Sequence, residues 1–115
     1  MIKRSGNEKI FHEVVEYNGV LYLAGLTAEN LALDIEGQTR EMLEYLKSVL
    51  AKHGSGPDKL LTALLFITDM SQKPKMNKAW TAILPNAHLP TRATIGINDL
   101  GKGVLIEGVF SAAKG

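Results

Sequence analysis

The chain has 115 residues, 45% of them hydrophobic and 22% charged, with a formal charge of +1, the profile of a single soluble globular domain over residues 1–115. Thirteen basic residues against twelve acidic ones leave no electrostatic footprint for nucleic acid, and the absence of cysteine excludes disulfides, thiolate metal sites and cysteine nucleophiles. The longest apolar run, Ala63–Ile67, is too short to span a membrane, and Met1–Arg4 leads into polar residues rather than a signal-peptide core, so a cytoplasmic protein is expected.

A strand at Ile2–Arg4 is faint. Ile10–Tyr17 and Val20–Ala24 flank Asn18-Gly19, a pair suited to a type I′ turn, and read as a hairpin closed by Gly25. Thr27–Leu33 reads as a loop. Asp34 is placed to cap a helix. The apolar stripe of that helix, from Ile35 through Met42, Leu43, Leu46 and Val49 to Leu50, stops at His53-Gly54. His53 is expected to face the helix C-terminus, where a cation is mildly favoured. Leu60–Thr68 is an almost continuous apolar run, the pattern of a strand buried on both faces. Ser71 is placed to cap a second helix that tolerates Pro74 in its first turn and stops at Pro85. Met76, Trp80, Ile83 and Leu84 form its apolar stripe.

Residues 90–112 (PTRATIGINDLGKGVLIEGVFSA) read as a C-terminal hairpin connected through Asn98–Gly103. Matching the aliphatic faces pairs Ile97 with Val104 and sets Thr94 opposite Glu107. Arg92 and Glu107 then become diagonal neighbours on one face, roughly 7–8 Å apart at Cβ. A cation and a carboxylate so placed make a candidate site. The element order predicts an α+β fold, a single mixed β-sheet (ββαβαββ) with two helices on one face. The opposite face carries Leu105, Val109 and members of Val20–Leu23, too apolar to stay wet. A second copy of the chain is expected to cover it, which would put a site on that face between subunits.

Other residues read more plainly. His12, His53 and His88 fall in three elements without metal-ligand spacing. Met76 and Trp80 read as core rather than a ligand cage. Gly101-Lys102-Gly103 is a turn lacking the rest of a P-loop. Glu36, Glu41 and Glu44, interleaved with Arg40 and Lys47, read as a solvated helix face. For Arg92 the bland alternative is a salt bridge at the surface or a subunit contact, and for Glu107 a structural partner to a lysine or arginine.

Pro-Xaa-Arg-Ala at 90–93, an aliphatic strand, and Ile-Glu at 106–107 resemble the RidA (YjgF-like) family of enamine/imine deaminases. Phe11–Gly25 (FHEVVEYNGVLYLAG) is similar to the family's first hairpin, Asp34–Gly54 to its first helix and Leu60–Asp69 (LLTALLFITD) to its central strand. Met76-Asn77-Lys78-Ala79-Trp80 resembles the asparagine-plus-aromatic signature of its second helix. The resemblance implies a RidA/chorismate-mutase-like fold and a homotrimer with sites at subunit interfaces, without cofactor or metal. It implies that Arg92 binds a substrate carboxylate and Glu107 positions the attacking water. Thr94 would offer backbone groups to the substrate, and Gly25 and Phe11 would reach the pocket. Phe11 replaces a tyrosine of the archetypal members, and Ala24-Gly25-Leu26-Thr27 replaces a serine-glycine-glutamine pattern, which places the chain in a divergent branch that keeps the arginine.

The implied activity is hydrolytic deamination of 2-imino or enamine acids, such as 2-aminoacrylate and 2-iminopropionate, to 2-keto acids and ammonia. The alternative is a non-catalytic homotrimer on the same fold that binds small carboxylates as a sensor or regulatory protein. A ribonuclease-like role has been attached to relatives, but the near-neutral charge gives it no support here.

Overall fold

A computed structural model describes residues 1–115. The strands are β1 (Lys3–Asn7), β2 (His12–Tyr17), β3 (Val20–Leu23), β4 (Leu60–Ile67), β5 (Thr91–Gly96) and β6 (Ile106–Ala113), with helices α1 (Ile35–Lys52) and α2 (Lys73–Ile83) on either side of β4 in sequence. All six strands form one mixed sheet in the order β1-β2-β3-β6-β4-β5. The faint N-terminal strand is therefore real: β1 pairs antiparallel with β2, and its polar sequence suits an exposed sheet edge.

Local chemistry accounts for most of the elements. Asn18 and Gly19 both take positive φ, 52° and 76°, which lets Tyr17 pair with Val20 across a two-residue turn. The Asp34 side chain accepts the Gly37 N–H at 2.9 Å and starts α1, which buries Ile35, Met42, Leu43, Leu46, Val49 and Leu50. Ser71, in contrast, does not cap the second helix. It lies in a 3₁₀ turn at Met70–Gln72, where Asp69 accepts from both its N–H and its hydroxyl. α2 begins two residues later without a side-chain cap, and Pro74 sits in its first turn, where a missing N–H is tolerated. Both helices cover the same sheet face and join a core of 20 buried residues. Leu46, fully enclosed there, would cost about 2–5 kcal/mol on truncation to alanine.

One buried polar residue organises the loops. Gln38 of α1 is fully buried. Its Nε2 donates to the carbonyls of Leu31, Leu33 and Gly103, and its Oε1 accepts the Leu105 N–H. Leu105 accordingly turns toward the core instead of lying on the opposite face.

The C-terminal segment departs most from the sequence reading. β5 and β6 do not form a hairpin, because β4 lies between them. The strand–helix–strand unit β4-α2-β5 returns the chain parallel to β4, as such crossovers do, and β6 then takes the other flank of β4, antiparallel. Residues sharing a row across three strands are Arg92–Ala63–Phe110, Thr94–Leu65–Gly108 and Ile95–Phe66–Glu107. Ala63, Leu65 and Phe110 are buried under the helices. The helix-free face displays Leu64, Phe66 and Val109, half-buried, with Tyr22 and Ile95 exposed. β4 is thus covered on one side only within a single chain.

Candidate functional site

The registers place Arg92 and Thr94 on the helix-covered face and Glu107 on the open one. The expected diagonal Arg92–Glu107 pair is therefore corrected. Alternation assigns each strand its own parity, but pairing through β4 puts Arg92 in phase with Phe110, an odd number of residues from Glu107. One chain holds the two residues as separate half-sites.

The arginine half is built by β5 and α2. Arg92 Nη1 donates to Asn77 Oδ1 at 2.7 Å, and the guanidinium carbon stands 5.1 Å from the centroid of the Trp80 ring, within cation–π range. Partial burial pushes the Arg92 pKa below its ordinary value. The ion pairs of the chain are Arg40–Glu36, Lys47–Glu44, Lys78–Glu36 and Lys114–Glu16, so Arg92 is oriented and partly desolvated but has no carboxylate partner. Thr94, two residues on, buries its Oγ1 without a hydrogen-bond partner.

The glutamate half is built by β6 and the segment after β3. Leu26 and Gly108 exchange both backbone hydrogen bonds, at 2.8 and 2.9 Å, which lays Gly25 directly against the Glu107 side chain. A Cβ on Gly25 would collide with Glu107 Oε2 and lie 3.0 Å from its Cδ. Absence of a side chain is what admits the carboxylate here. Gly25 and Phe11 also line a surface cavity of about 270 Å³ together with Glu8, Glu13, Thr27 and Tyr45, and Phe11 is half exposed. The Tyr45 hydroxyl donates to Glu13 Oε1 at 3.4 Å. Its pKa is raised above 10.0, first by burial and then by the Glu13 charge.

The structure thus brings Gly25 to Glu107, Phe11 to Gly25 and Thr94 to Arg92, and it adds Asn77 and Trp80 as contacts of Arg92. Those two stand at i, i+3 on α2, a spacing that shares a helix face. Trp80 is also core, at 4% exposure. The Glu41 carboxylate is not merely solvated, because it accepts the N–H groups of Glu29 and Asn30, both at 2.6 Å. No helix is long and apolar enough to cross a membrane.

Comparison with known proteins bears on this arrangement. The family model described as Endoribonuclease L-PSP matches residues 1–114. The RutC family protein YoaB of Escherichia coli is 37% identical over 94 residues, covering 82% of each chain. A RutC family protein of Haemophilus ducreyi is 30% identical over 98% of this chain and 97% of its own. Among solved structures, a putative translation initiation inhibitor from Salmonella typhimurium superposes with a TM-score of 0.88 at 33% identity, covering 97% of this chain and 96% of that one. NMB1025 of Neisseria meningitidis, a YjgF family member, superposes with a TM-score of 0.94 at 27% identity over 100% of this chain and 96% of its own. Whole-length agreement in sequence model, relatives and backbone assigns the chain to the YjgF/RidA family of Endoribonuclease L-PSP proteins.

Proposed function

We propose that this protein is a cytoplasmic 2-imino acid deaminase working as a homotrimer of one-domain subunits. The observation that carries the reading is Arg92: a half-buried guanidinium held by Asn77 and Trp80, with no anion of its own chain. Such a group suits a planar carboxylate, which its fork can bind through two parallel N–H bonds. The second half-site, Glu107 beside Gly25, lies on the apolar open face that another copy would cover. β5 is an edge strand, so packing that edge against the open face of a neighbouring copy would bring Arg92 of one subunit to Glu107 of the next.

The chemistry then needs little machinery. Arg92 fixes the carboxylate of the imine. Glu107 orients a water and accepts its proton as the oxygen adds to C2. That proton passes to the imine nitrogen, giving the 2-amino-2-hydroxy acid. Its hydroxyl proton then also ends on nitrogen as the C–N bond breaks and the carbonyl forms, releasing ammonia and the 2-keto acid. Imine hydrolysis already proceeds in water, so positioning supplies most of the acceleration. Phe11 offers the pocket an apolar wall, and Thr94 offers its backbone.

The test generates 2-iminopropionate with an amino-acid oxidase and traps the imine that survives. Faster disappearance with protein present, abolished by Glu107→Gln while pyruvate binding persists, is the expected result. Pyruvate binding with unchanged imine survival would instead identify a carboxylate-binding protein on the same fold.

A further inference from the structure

Asn77 and Trp80 approach Arg92 from one turn of α2, yet neither supplies charge. Asn77 accepts an N–H from Nη1 at 2.7 Å. An aspartate there would have nearly the same shape and would hold a part-buried guanidinium more tightly, through a charge-assisted bond. Only four of the thirteen lysines and arginines, Arg40, Lys47, Lys78 and Lys114, pair with glutamates, and the part-buried Arg92 meets an amide instead. Trp80 acts in the same sense. Its ring is fixed in the core at 4% exposure, and a ring face attracts a cation without neutralising it. The hydrogen bond fixes one nitrogen of the fork while the indole closes one side. The remaining N–H groups stay unpaired, with the full positive charge behind them.

We propose that Asn77 and Trp80 are positioning residues that orient Arg92 while leaving it uncompensated, so that its anion must come from outside the chain. The inference rests on the deaminase reading and deepens it. On this view the neutrality of residue 77 sets the affinity for the substrate carboxylate, and the indole sets the side from which that carboxylate arrives.

The test uses the assembled protein and reads kcat and KM for 2-iminopropionate, Kd for pyruvate by calorimetry, and Tm. Asn77→Asp should give Arg92 an internal counter-ion. KM and Kd should rise by at least about tenfold, the scale of one charge-assisted hydrogen bond, with a smaller effect on kcat and an equal or higher Tm. A merely structural asparagine predicts the higher Tm with KM unchanged, and that result would overturn the inference. Trp80→Leu keeps an apolar side chain without a ring face, so KM and Kd should rise, and Trp80→Phe should recover most of the loss. If Asn77→Asp does not assemble, this tryptophan pair decides instead. Equal KM for the leucine and phenylalanine variants, whatever their Tm, would sink the proposal. Wild-type protein that neither hydrolyses the imine nor binds pyruvate would remove the deaminase reading as well. Active wild type with an equally active Asn77→Asp variant removes this inference alone.

Discussion

Replacing Gly25 with alanine tests the glutamate half-site without touching a charged group. The added Cβ would fall on Glu107 Oε2, 3.0 Å from Cδ and 3.3 Å from Cγ. Gly25 is not among the glycines with positive φ, so the backbone accepts alanine. The obstacle is the far end of a flexible side chain, which can rotate away at a cost of about 0.5–1.5 kcal/mol for a displaced rotamer. Tm should therefore change little. The carboxylate, however, leaves the position it occupies beside residue 25. Misplacement by about 1 Å can cost on the order of a hundredfold in rate, and a lost general base costs about 10²–10⁴-fold. We expect kcat for 2-iminopropionate to fall by roughly a hundredfold, while pyruvate, held by Arg92, binds within about twofold of wild type. The imine-trapping assay reads the first quantity and calorimetry the second. Gly25→Ala and Glu107→Gln should also fail to add when combined, since both remove the same group from the same place. Wild-type kcat in the alanine variant, or full additivity in the double variant, would refute the assignment of Glu107 to the chemistry.

The other expectations are more direct. Arg92→Lys keeps the charge but loses the fork, and kcat/KM should fall about tenfold to a hundredfold, matching one charge-assisted hydrogen bond of roughly 1.5–3 kcal/mol; wild-type turnover by the lysine variant would rule out the clamp. Val109→Glu places a charge on the open apolar face and should convert a particle of three times 12.5 kDa into monomers by light scattering, whereas an unaltered assembly would show that this face is not the contact. The Ser71 hydroxyl, and then its N–H, hold Asp69 below its ordinary 3.8. Asp69 should thus contribute stability above that value and lose the contribution as pH falls through its lowered folded pKa. Urea midpoints of Asp69→Asn should accordingly be flatter in acid than those of wild type, and parallel curves would contradict the effect.

The sequence was most legible where a local rule had no competitor. Asn18-Gly19 dictated its turn, Asp34 its cap, and the stripe from Ile35 to Leu50 its helix, because each signal acts over a few residues. Strand neighbours were another matter. Alternation shows which side chains share a face of one strand but not which strand lies next to it, so 91–96 and 106–113 looked like partners although β4 separates them. That insertion moved Arg92 and Glu107 to opposite faces. Nothing in the pattern marks Gln38, because apolar periodicity does not register a buried polar side chain. Helical periodicity marks Trp80 only as core; its contact with Arg92 depends on the distance between α2 and β5, which no single-element pattern carries.

The bonding of Gln38 has a consequence for how freely this scaffold can change. Every one of its partners, the carbonyls of Leu31, Leu33 and Gly103 and the N–H of Leu105, is a main-chain group. The hold is therefore indifferent to which side chains those loops display. Exposed positions such as Glu29, Asn98 and Lys102 can be rewritten, by drift or in a library, with the paths of their segments still tied to one glutamine on α1. They form a diversifiable rim on a frame whose least replaceable polar residue lies out of sight beneath it.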